Sequence, residues 1–270
     1  MNKDSLGDRM KAYEDASRGV LTTRMPVIIR VDGKAFHTYT KGLVRPVDDR
    51  LVSVMDQTAI ALCKAIQGAQ VAYVQSDEIS ILVHGYKTLD SSSWFDNQIQ
   101  KMVSVSAGIA SSTFTALSYH IWHHDDPEHS ELGLIDSRNI RPAVFDSRVF
   151  LVPEADVNNY FLWRQKDATR NSVQTLARFL YSHKECNNKN NSQLQEMCFQ
   201  KGRNWNDEPI SFRRGRCIVK ESFILPETQA VRSRWTVDNN IPVFSEDRDY
   251  INRYFKEISS AETEKAPATT

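Results

Sequence analysis

The sequence has few cysteines, no long apolar run and no excess charge. Its 270 residues include four cysteines, and none is paired at a zinc-finger or CxxC spacing, so we expect reduced thiols. No apolar run approaches the ~18 residues that span a bilayer, and the charged N-terminus carries no secretion signal. We therefore expect a cytoplasmic protein without membrane contact. The 34 basic and 34 acidic side chains cancel, so nucleic-acid binding would have to depend on a local basic patch.

The sequence does contain an alternation of β-branched runs and helical patterns. It is 40% hydrophobic and 25% charged, which is ordinary globular composition. The patterns predict strands at Val27–Val31, Val71–Val74, Ile79–Val83 and Val144–Val152, and helices at 49–67, Met102–Leu117 and Val157–Tyr181. This βαββαβ order, with a further helix after it, predicts an α+β chain with additional C-terminal helix and strands and the ferredoxin-like arrangement that polymerase palms and nucleotide cyclases both use.

Two segments have irregular composition. His183–Asn191 contains four asparagines and is predicted to be loosely structured, and the small polar residues of 259–270 predict a disordered tail. We therefore expect a single domain over residues 1–258. Within it, the palm core would cover about 25–182 and a C-terminal extension about 183–258.

Carboxylates follow two strands that are neighbours in a split βαβ sheet. Asp32 ends the first strand, and Asp77 and Glu78 fall in the predicted hairpin turn Gln75–Glu78. Such an edge offers the oxygen ligands that Mg²⁺ prefers, and the Gly33 carbonyl can approach a metal or phosphate closely. On spacing alone two interpretations stay open: metal-dependent phosphoryl transfer, or a solvated sheet edge whose polar residues only form turns.

The residues after Gly33 predict a phosphate-binding turn. Backbone amides of Lys34-Ala35-Phe36-His37 can form an anion-binding nest. Lys34 and His37 can add charge-assisted hydrogen bonds to phosphate oxygens. Phosphate binding next to a carboxylate pair would favour the first of the two interpretations.

Six sequence blocks, in order along about 6–220, resemble the histidine-tRNA guanylyltransferase family. The blocks are Leu6-Gly7-Asp8-Arg9-Met10-Lys11, Arg30-Val31-Asp32-Gly33-Lys34-Ala35-Phe36-His37, Gln75-Ser76-Asp77-Glu78, Phe145-Asp146-Ser147-Arg148, Trp163-Arg164-Gln165 with Asp167, and Arg213-Arg214-Gly215 after Pro209. The resemblance implies an enzyme that adds nucleotides to tRNA in the 3′–5′ direction. It first adenylylates the 5′-monophosphate with ATP, and the 3′-hydroxyl of an incoming nucleoside triphosphate then attacks the activated phosphate.

The same resemblance implies ligands for individual residues. Two Mg²⁺ ions would be held by Asp32, Asp77 and the Gly33 carbonyl, with Glu78 as catalytic electrostatic support. ATP and GTP, or other nucleoside triphosphates, are the implied substrates. The implied nucleotide-binding residues are Lys34, Ala35, Phe36, His37, Ser76 and Lys101 at the triphosphate, and Thr40, Val44, Arg45 and Asp48 at the base. For Lys101, a solvated lysine at a helix start is the open alternative.

One departure from the family pattern bears on the substrate. Eukaryotic members that act on histidine tRNA carry a His-Ile-Asn-Asn block, where this sequence reads Thr169-Arg170-Asn171-Ser172 and only Asn171 matches. The resemblance therefore favours the guanylyltransferase-like branch, which implies template-dependent repair of truncated tRNA 5′ ends. The alternatives are the non-templated histidine-tRNA enzyme, a nucleotide cyclase on the same palm and a non-catalytic tRNA-binding protein. The resemblance also implies a homotetramer.

A local basic patch follows the long helix. Lys201, Arg203, Arg213, Arg214, Arg216 and Lys220 surround Trp205 and Phe212. Basic side chains bind the phosphate backbone and aromatic rings stack on bases, so this patch predicts RNA contact, with a charged strand edge as the alternative. Together with the resemblance, it predicts RNA binding by Arg164, Asn171, Lys201, Arg203, Arg213 and Arg214.

Overall fold

A computed structural model describes residues 5–86, 91–123, 141–226 and 228–254. The strands are β1 Val27–Gly33, β2 Ala69–Gln75, β3 Glu78–Val83, β4 Phe145–Leu151, β5 Arg216–Ile224 and β6 Val231–Asp238. The helices are α1 Ser5–Asp15, α2 Phe36–Tyr39, α3 Asp49–Ala65, α4 Ile99–His123, α5 Val157–Leu180, α6 His183–Cys186, α7 Asn191–Gln200 and α8 Ile210–Arg214. Short 3-10 turns lie at Trp94–Asn97, Glu154–Asp156 and Trp205–Asp207. Further helical turns cover 249–254.

The strands form one antiparallel sheet in the order β4-β1-β3-β2-β5-β6. The first four strands have the split βαβ order, so the predicted α+β palm is confirmed. β5 extends this sheet by pairing with β2, where Val74 lies opposite Arg216, and β6 follows as the edge strand. The additional C-terminal strands are therefore part of the palm sheet itself.

Both faces of the sheet are covered, which explains why the central strands are nearly continuous apolar runs. On one face Ile29 and Ile81 pack with Leu62 of α3 and Phe114 of α4. On the other face Ile28, Tyr73 and Leu82 pack with Phe161 of α5 and with Phe244 from the C-terminal segment. Residues that alternate along a strand point to opposite faces, so each strand supplies both cores.

Two local expectations differ from the structure. His183–Asn191 is not loosely structured, because Ser182 and Asn190 each begin a short helix through a capping box with the residue three positions later. The turn between β2 and β3 contains only Ser76 and Asp77, so Glu78 belongs to a strand. The predicted tail at 259–270 lies outside the described residues.

The four cysteines, Cys63, Cys186, Cys198 and Cys217, are free thiols, as predicted. Among the described residues, no helix combines the length and the apolar character needed to cross a bilayer.

Candidate active site

The end of β1 and the β2–β3 turn meet at one edge of the sheet. Asp32 lies opposite Glu78 in the β1–β3 ladder. The Gly33 amide donates a hydrogen bond to the Asp77 carbonyl oxygen at 3.0 Å. The structure thus brings Asp32, Gly33 and Asp77 together, because the antiparallel register carries the end of β1 to the hairpin turn.

Asp77 is a partly buried carboxylate without a cationic neighbour among the described residues. Desolvation raises the pKa of Asp77, and the charges of Asp32 and Glu78 raise it further. Hydrogen bonds from the Ser76 side chain and from its own backbone amide act in the opposite direction. A divalent cation would relieve this repulsion, so the surroundings of Asp77 suit a metal ion.

Asp32 is held on one side by Arg30. The Arg30 Nη2 atom donates to Asp32 Oδ2 at 3.0 Å and also lies 3.0 Å from Glu78 Oε2. The Asp32 side chain keeps 29% of its surface exposed, whereas Glu78 keeps 6%. Arg30 therefore fixes the position of the Asp32 carboxylate but leaves it accessible to solvent.

The donor set fits Mg²⁺ only with the help of a substrate. Within the described ranges, no three His, Cys, Asp or Glu side chains gather where they could hold a metal ion. Two carboxylates and a backbone carbonyl leave open positions, which Mg²⁺ usually fills with water and substrate phosphates. The residues present therefore fit a metal that binds together with a nucleotide.

Glu78 lies behind this edge in a buried ionic network. Arg164 of α5 donates to Glu78 through Nε at 2.7 Å and through Nη2 at 2.6 Å, and also pairs with Asp167 at 2.9 Å. Ser80 donates to Glu78 at 3.2 Å and shares a 2.8 Å hydrogen bond with Tyr160. The predicted position of Glu78 in the turn is wrong, and its role as electrostatic support stays a prediction.

Arg164 is also placed differently from its prediction. Its side chain is 5% exposed, and its guanidinium is committed to Glu78 and Asp167. The predicted contact between Arg164 and RNA does not fit this burial. Arg164 instead joins α5 to the strand that follows the candidate metal edge.

Packing explains why residue 33 is glycine. A Cβ built on Gly33 would collide with the ring of Phe36. That ring lies 5.2 Å from Tyr39, 5.2 Å from Phe114 and 5.0 Å from Phe145, centroid to centroid. Phe36 is therefore a core residue that seats the turn after β1. Ala35, in this turn, adopts a left-handed φ of 55°.

A cavity of about 600 Å³ opens beside Asp77, between α3, the β2–β3 turn, α5 and the segment around α8. It gathers many of the predicted nucleotide residues and two of the predicted RNA residues. Those that line it are Phe36, His37, Thr40, Val44, Arg45, Asp48, Ser76, Asp77, Asn171 and Arg203. The cavity is large enough for a nucleotide.

Asp48 anchors the loop that forms one wall of this cavity. It caps α3 by accepting from the Arg50 amide at 3.0 Å, and it accepts from the Val44 amide at 3.2 Å. The Arg50 side chain donates to both Asp48 oxygens, at 3.0 and 2.8 Å. This hydrogen bonding lowers the pKa of Asp48 to about 2. The structure thus gives Asp48 a positioning role in addition to its predicted place at the base.

Other predicted residues are not brought to the cavity. Lys34 and Ala35 are exposed in the turn next to Gly33. Ser111 of α4 accepts a hydrogen bond from the amide of Phe145, which lies opposite Gly33. Lys101 precedes Ser111 by ten residues, which places it about 15 Å from Ser111 along the axis of α4. Its exposed position fits the alternative of a solvated lysine at a helix start.

The predicted basic patch separates into bonded and exposed members. Arg216 is buried and pairs with Asp56, whereas Lys201 and Arg213 lie over the rings of Tyr181 and Trp205 at 5.0 and 5.5 Å. Arg203 pairs with Glu208 at 2.7 Å at the wall of the cavity. The sequence alone does not reveal the partners Asp56, Arg30 and Tyr160, because pairing across 48 to 160 residues leaves no local signal.

A palm sheet with a carboxylate pair, one member of which lines a nucleotide-sized cavity, is typical of palm-type nucleotidyltransferases. Comparison with known proteins identifies the family. The family described as "Thg1: tRNAHis guanylyltransferase" matches residues 7–153, which is more than half of the chain. The chain therefore belongs to the tRNAHis guanylyltransferase family of nucleotidyltransferases.

Solved structures and curated relatives agree with this assignment. A bacterial tRNA(His) guanylyltransferase (Thg1)-like protein in complex with ATP is 40% identical, with a TM-score of 0.79 over 93% of this chain and 99% of that chain. A probable tRNA(His) guanylyltransferase of Dictyostelium discoideum is 26% identical over 232 residues, covering 81% of this chain and 83% of that protein. The tRNA(His) guanylyltransferase of Saccharomyces cerevisiae, at 19% identity and a TM-score of 0.64, shares the fold.

Proposed function

We propose that this protein repairs the 5′ end of truncated tRNA by template-dependent 3′–5′ nucleotide addition, after ATP-dependent 5′ adenylylation. The observation that carries the proposal is the closeness of Asp32 to Asp77, which itself lines the 600 Å³ cavity. The bacterial neighbour that is 40% identical is described in complexes with ATP and with GTP. These complexes support nucleoside triphosphates as ligands of the same cavity in this chain.

The residues of the chain divide the work between binding and positioning. Two Mg²⁺ ions held by Asp32, Asp77 and the Gly33 carbonyl would neutralise charge at the reacting phosphates. Ser76 and His37 line the cavity with Asp77 and would contact the phosphates, whereas Thr40, Val44 and Arg45 would contact the base. Asp48 keeps that loop in place through its bonds to Val44 and Arg50. Preorganised positions of this kind reduce the reorganisation needed during phosphoryl transfer.

Internal contacts made by residues 169–172 support the proposal that base pairing selects the added nucleotide. Ser172 accepts from the Trp205 indole at 3.0 Å and donates to the Arg213 carbonyl at 3.1 Å. Arg170 pairs with Asp167. The buried Ser172 hydroxyl, used in these contacts, is not free for recognition of one particular tRNA, so the templating strand would select the nucleotide.

The remaining predictions concern partners. The exposed Lys201 and the partly exposed Arg203, Arg213 and Arg214 of the basic patch would contact the tRNA backbone, and Asn171 would contact it from the cavity wall. Homotetrameric assembly, a cytoplasmic location and the domain limits at 182 and 258 stay predictions from the sequence.

The test is a 5′-extension assay with purified protein, Mg²⁺, ATP and all four nucleoside triphosphates. The substrate is a 5′-monophosphorylated tRNA that lacks its first nucleotide, prepared with each of the four bases opposite the gap. We expect one added nucleotide whose identity changes with the opposing base. Guanosine addition to full-length histidine tRNA, without extension of the truncated tRNAs, would instead select the non-templated enzyme. RNA binding without nucleotide turnover would select a binding protein.

A further inference from the structure

The α5 helix carries an exposed tryptophan that the nucleotide cavity does not use. Trp163 keeps 55% of its surface exposed, whereas the other tryptophans whose side chains the structure describes are buried or intermediate. The α5 residues that line the cavity are Ala168, Asn171, Ser172 and Thr175, which all follow Trp163 by more than one helical turn. A single exposed ring is ordinary on a protein surface, so its meaning depends on its surroundings.

Trp163 is held in place by its neighbours. The Arg164 guanidinium lies over the indole at 4.4 Å from the ring centre, and the ring of Tyr160 meets the indole edge-on at 5.9 Å. Arg164 is itself fixed by hydrogen bonds to Glu78 at 2.6 Å and to Asp167 at 2.9 Å. Because one face of the indole is covered and the ring is still half exposed, its other face is open to solvent. A flat group can stack on this face with little further loss of side-chain entropy.

The indole is close to the candidate metal edge. A series of short contacts connects it to Asp32: Arg164 under the ring bonds to Glu78, and Arg30 lies 3.0 Å from the carboxylates of both Glu78 and Asp32. Stacked bases of one strand repeat about every 3.4 Å, so the ring lies within a few nucleotides of Asp32. The carboxylate pair therefore has the cavity beside Asp77 and the exposed indole on the side of Asp32.

Exposed basic side chains accompany the indole. Lys166 follows Trp163 by three residues, on the same exposed face of α5. Arg148 of β4 is 59% exposed and lies 3.7 Å from Asp146, on the strand whose Phe150 packs against α5. An aromatic ring with neighbouring cations is the composition of a single-stranded nucleic-acid site, where rings stack on bases and cations bind the backbone. These charges favour RNA over a protein partner at this surface.

We propose that Trp163 is an RNA-binding residue that stacks on one of the first two bases at the 5′ end of the RNA substrate, and so holds the 5′-phosphate at the edge formed by Asp32 and Asp77. The inference rests on the proposed function, because it assumes that an RNA 5′ end is brought to this edge. The nucleoside triphosphate would reach the same edge from the cavity. Stacking tolerates any base, because every base has a π-face, and this agrees with selection of the nucleotide by the template.

The experiment uses the full chain, Mg²⁺ and a 5′-monophosphorylated tRNA that lacks its first nucleotide, at one fixed salt concentration. Binding and extension of this tRNA are measured for Trp163→Leu, which keeps an apolar side chain without a π-face, and for Trp163→Phe, which keeps a ring. Phe223→Leu is the matched control, because Phe223 of β5 is also an exposed ring, with the Arg234 guanidinium over it at 5.4 Å. The same tRNA with 5-iodouridine at its first or second nucleotide is photocrosslinked to the wild type and to Trp163→Leu, and the crosslinked peptide is identified by mass spectrometry.

We expect Trp163→Leu to raise the Kd and the KM for the tRNA about tenfold, which is the size of one lost base stack. Trp163→Phe should stay within about threefold of the wild type, and Phe223→Leu should equal it. The KM for ATP should be the same in all four proteins, because the cavity is unaltered. The crosslink should map to Trp163 in the wild type and should be lost in Trp163→Leu.

An unchanged Kd for the tRNA in Trp163→Leu, or wild-type crosslinks that map only to other residues, would overturn the inference. A changed oligomeric state of Trp163→Leu in light scattering, with tRNA binding unaltered, would overturn it in favour of a protein contact. A wild type that extends no truncated tRNA would instead contradict the proposed function. The two failures are distinguishable, because the inference alone fails when the wild type and Trp163→Leu extend the tRNA with the same KM.

Discussion

Asp77 and Glu78 are adjacent carboxylates with opposite surroundings. Glu78 points toward α5, where Arg164 donates to its carboxylate, and Arg30 of β1 forms a second ion pair with it. Asp77 has no arginine or lysine partner among the described residues, and desolvation together with the charges of Asp32 and Glu78 raises its pKa. Of these two consecutive residues, Glu78 therefore has its charge balanced by arginines, whereas Asp77 has no such partner and lies beside the cavity.

We propose that this difference distinguishes the carboxylate that serves the chemistry from the one that stabilises the fold. A fully paired, buried ionic group connects secondary-structure elements and is costly to break. An unpaired, desolvated carboxylate reduces stability and is retained where a ligand supplies the missing charge. The comparison assigns Glu78 to the scaffold and Asp77 to the ligand, and each of the following substitutions tests one side of it.

The largest effect is expected from Asp77→Asn. Removing one anionic metal ligand should reduce the rates of adenylylation and addition by about a thousandfold, since a metal supplies several kcal/mol at the reacting phosphates. The pKa of Asp77 is raised in the fold, so its contribution to stability is present at low pH and is lost as pH rises through that pKa. At neutral pH the substitution should therefore raise the midpoint of thermal unfolding.

The two readouts of Asp77→Asn are single-turnover 5′ extension and thermal unfolding at pH 7. Asp15→Asn, on the exposed helix α1, is the control for loss of a surface charge. A loss of activity accompanied by a lower unfolding midpoint would place Asp77 in the scaffold with Glu78 and contradict the comparison.

Glu78→Gln should mainly affect stability. The substitution leaves Arg30 and Arg164 facing a neutral partner in a buried site, and breaking a buried pair typically costs about 3–5 kcal/mol. We expect a decrease of that size in the free energy of unfolding, measured by urea denaturation at pH 7. Activity per folded molecule should fall much less than in Asp77→Asn. Unchanged stability would show that the network does not hold β3 to α5.

The third substitution, Asp48→Asn, tests the loop at the base end of the cavity. Asparagine still caps a helix, but it weakens the charge-assisted hydrogen bonds from Arg50. Because Arg50 is partly exposed, we expect the free energy of unfolding to fall by only about 1 kcal/mol. Because Arg50 lowers the pKa of Asp48 to about 2, this stability is present above the ordinary aspartate pKa. It is lost as pH falls toward 2.

Urea denaturation of the wild type and Asp48→Asn, from pH 7 down to pH 2, measures the difference between their free energies of unfolding. This difference should be constant above about pH 4 and should disappear near pH 2. The nucleotide KM should rise in the variant, because the Val44 amide loses its anchor. A stability difference that grows on acidification would contradict the assigned cause.

The smallest effect is expected from Tyr160→Phe. Burial raises the pKa of Tyr160 to about 12, and its hydroxyl is bonded to Ser80 at 2.8 Å. Removing the hydroxyl leaves Ser80 with its bond to Glu78, so the free energy of unfolding should fall by only about 1 kcal/mol. A loss as large as that of Glu78→Gln would mean that Tyr160 belongs to the ionic network as a full member.

Local pattern was sufficient for the palm but not for its long-range pairs. The β-branched runs predicted β1 and the β2–β3 hairpin, because strands covered on both faces are apolar throughout. The sequence also predicted Asp32 and Asp77 at one edge of the sheet, because the first strand and the hairpin strands are neighbours in a split βαβ sheet. The error at Glu78 arose because a polar residue in a strand resembles a turn residue until its partner Arg164, 86 residues away, is known.

In the C-terminal half, the prediction of a loosely structured segment was wrong for a different reason. The asparagine-rich segment looked irregular by composition, although Ser182 and Glu185, and likewise Asn190 and Gln193, have the spacing of capping boxes. Spacing was therefore the usable signal. The pairing of Arg216 with Asp56 had no such signal, since the two residues are 160 positions apart.

The most direct measurement is the rate of 5′ adenylylation of a monophosphorylated tRNA by Asp77→Asn and Glu78→Gln, each corrected for the folded fraction. The account predicts that Asp77→Asn is folded and nearly inactive, whereas Glu78→Gln is less stable but active in its folded fraction. An active Asp77→Asn, or an inactive but fully stable Glu78→Gln, would contradict the assignment of the chemistry to the unpaired carboxylate.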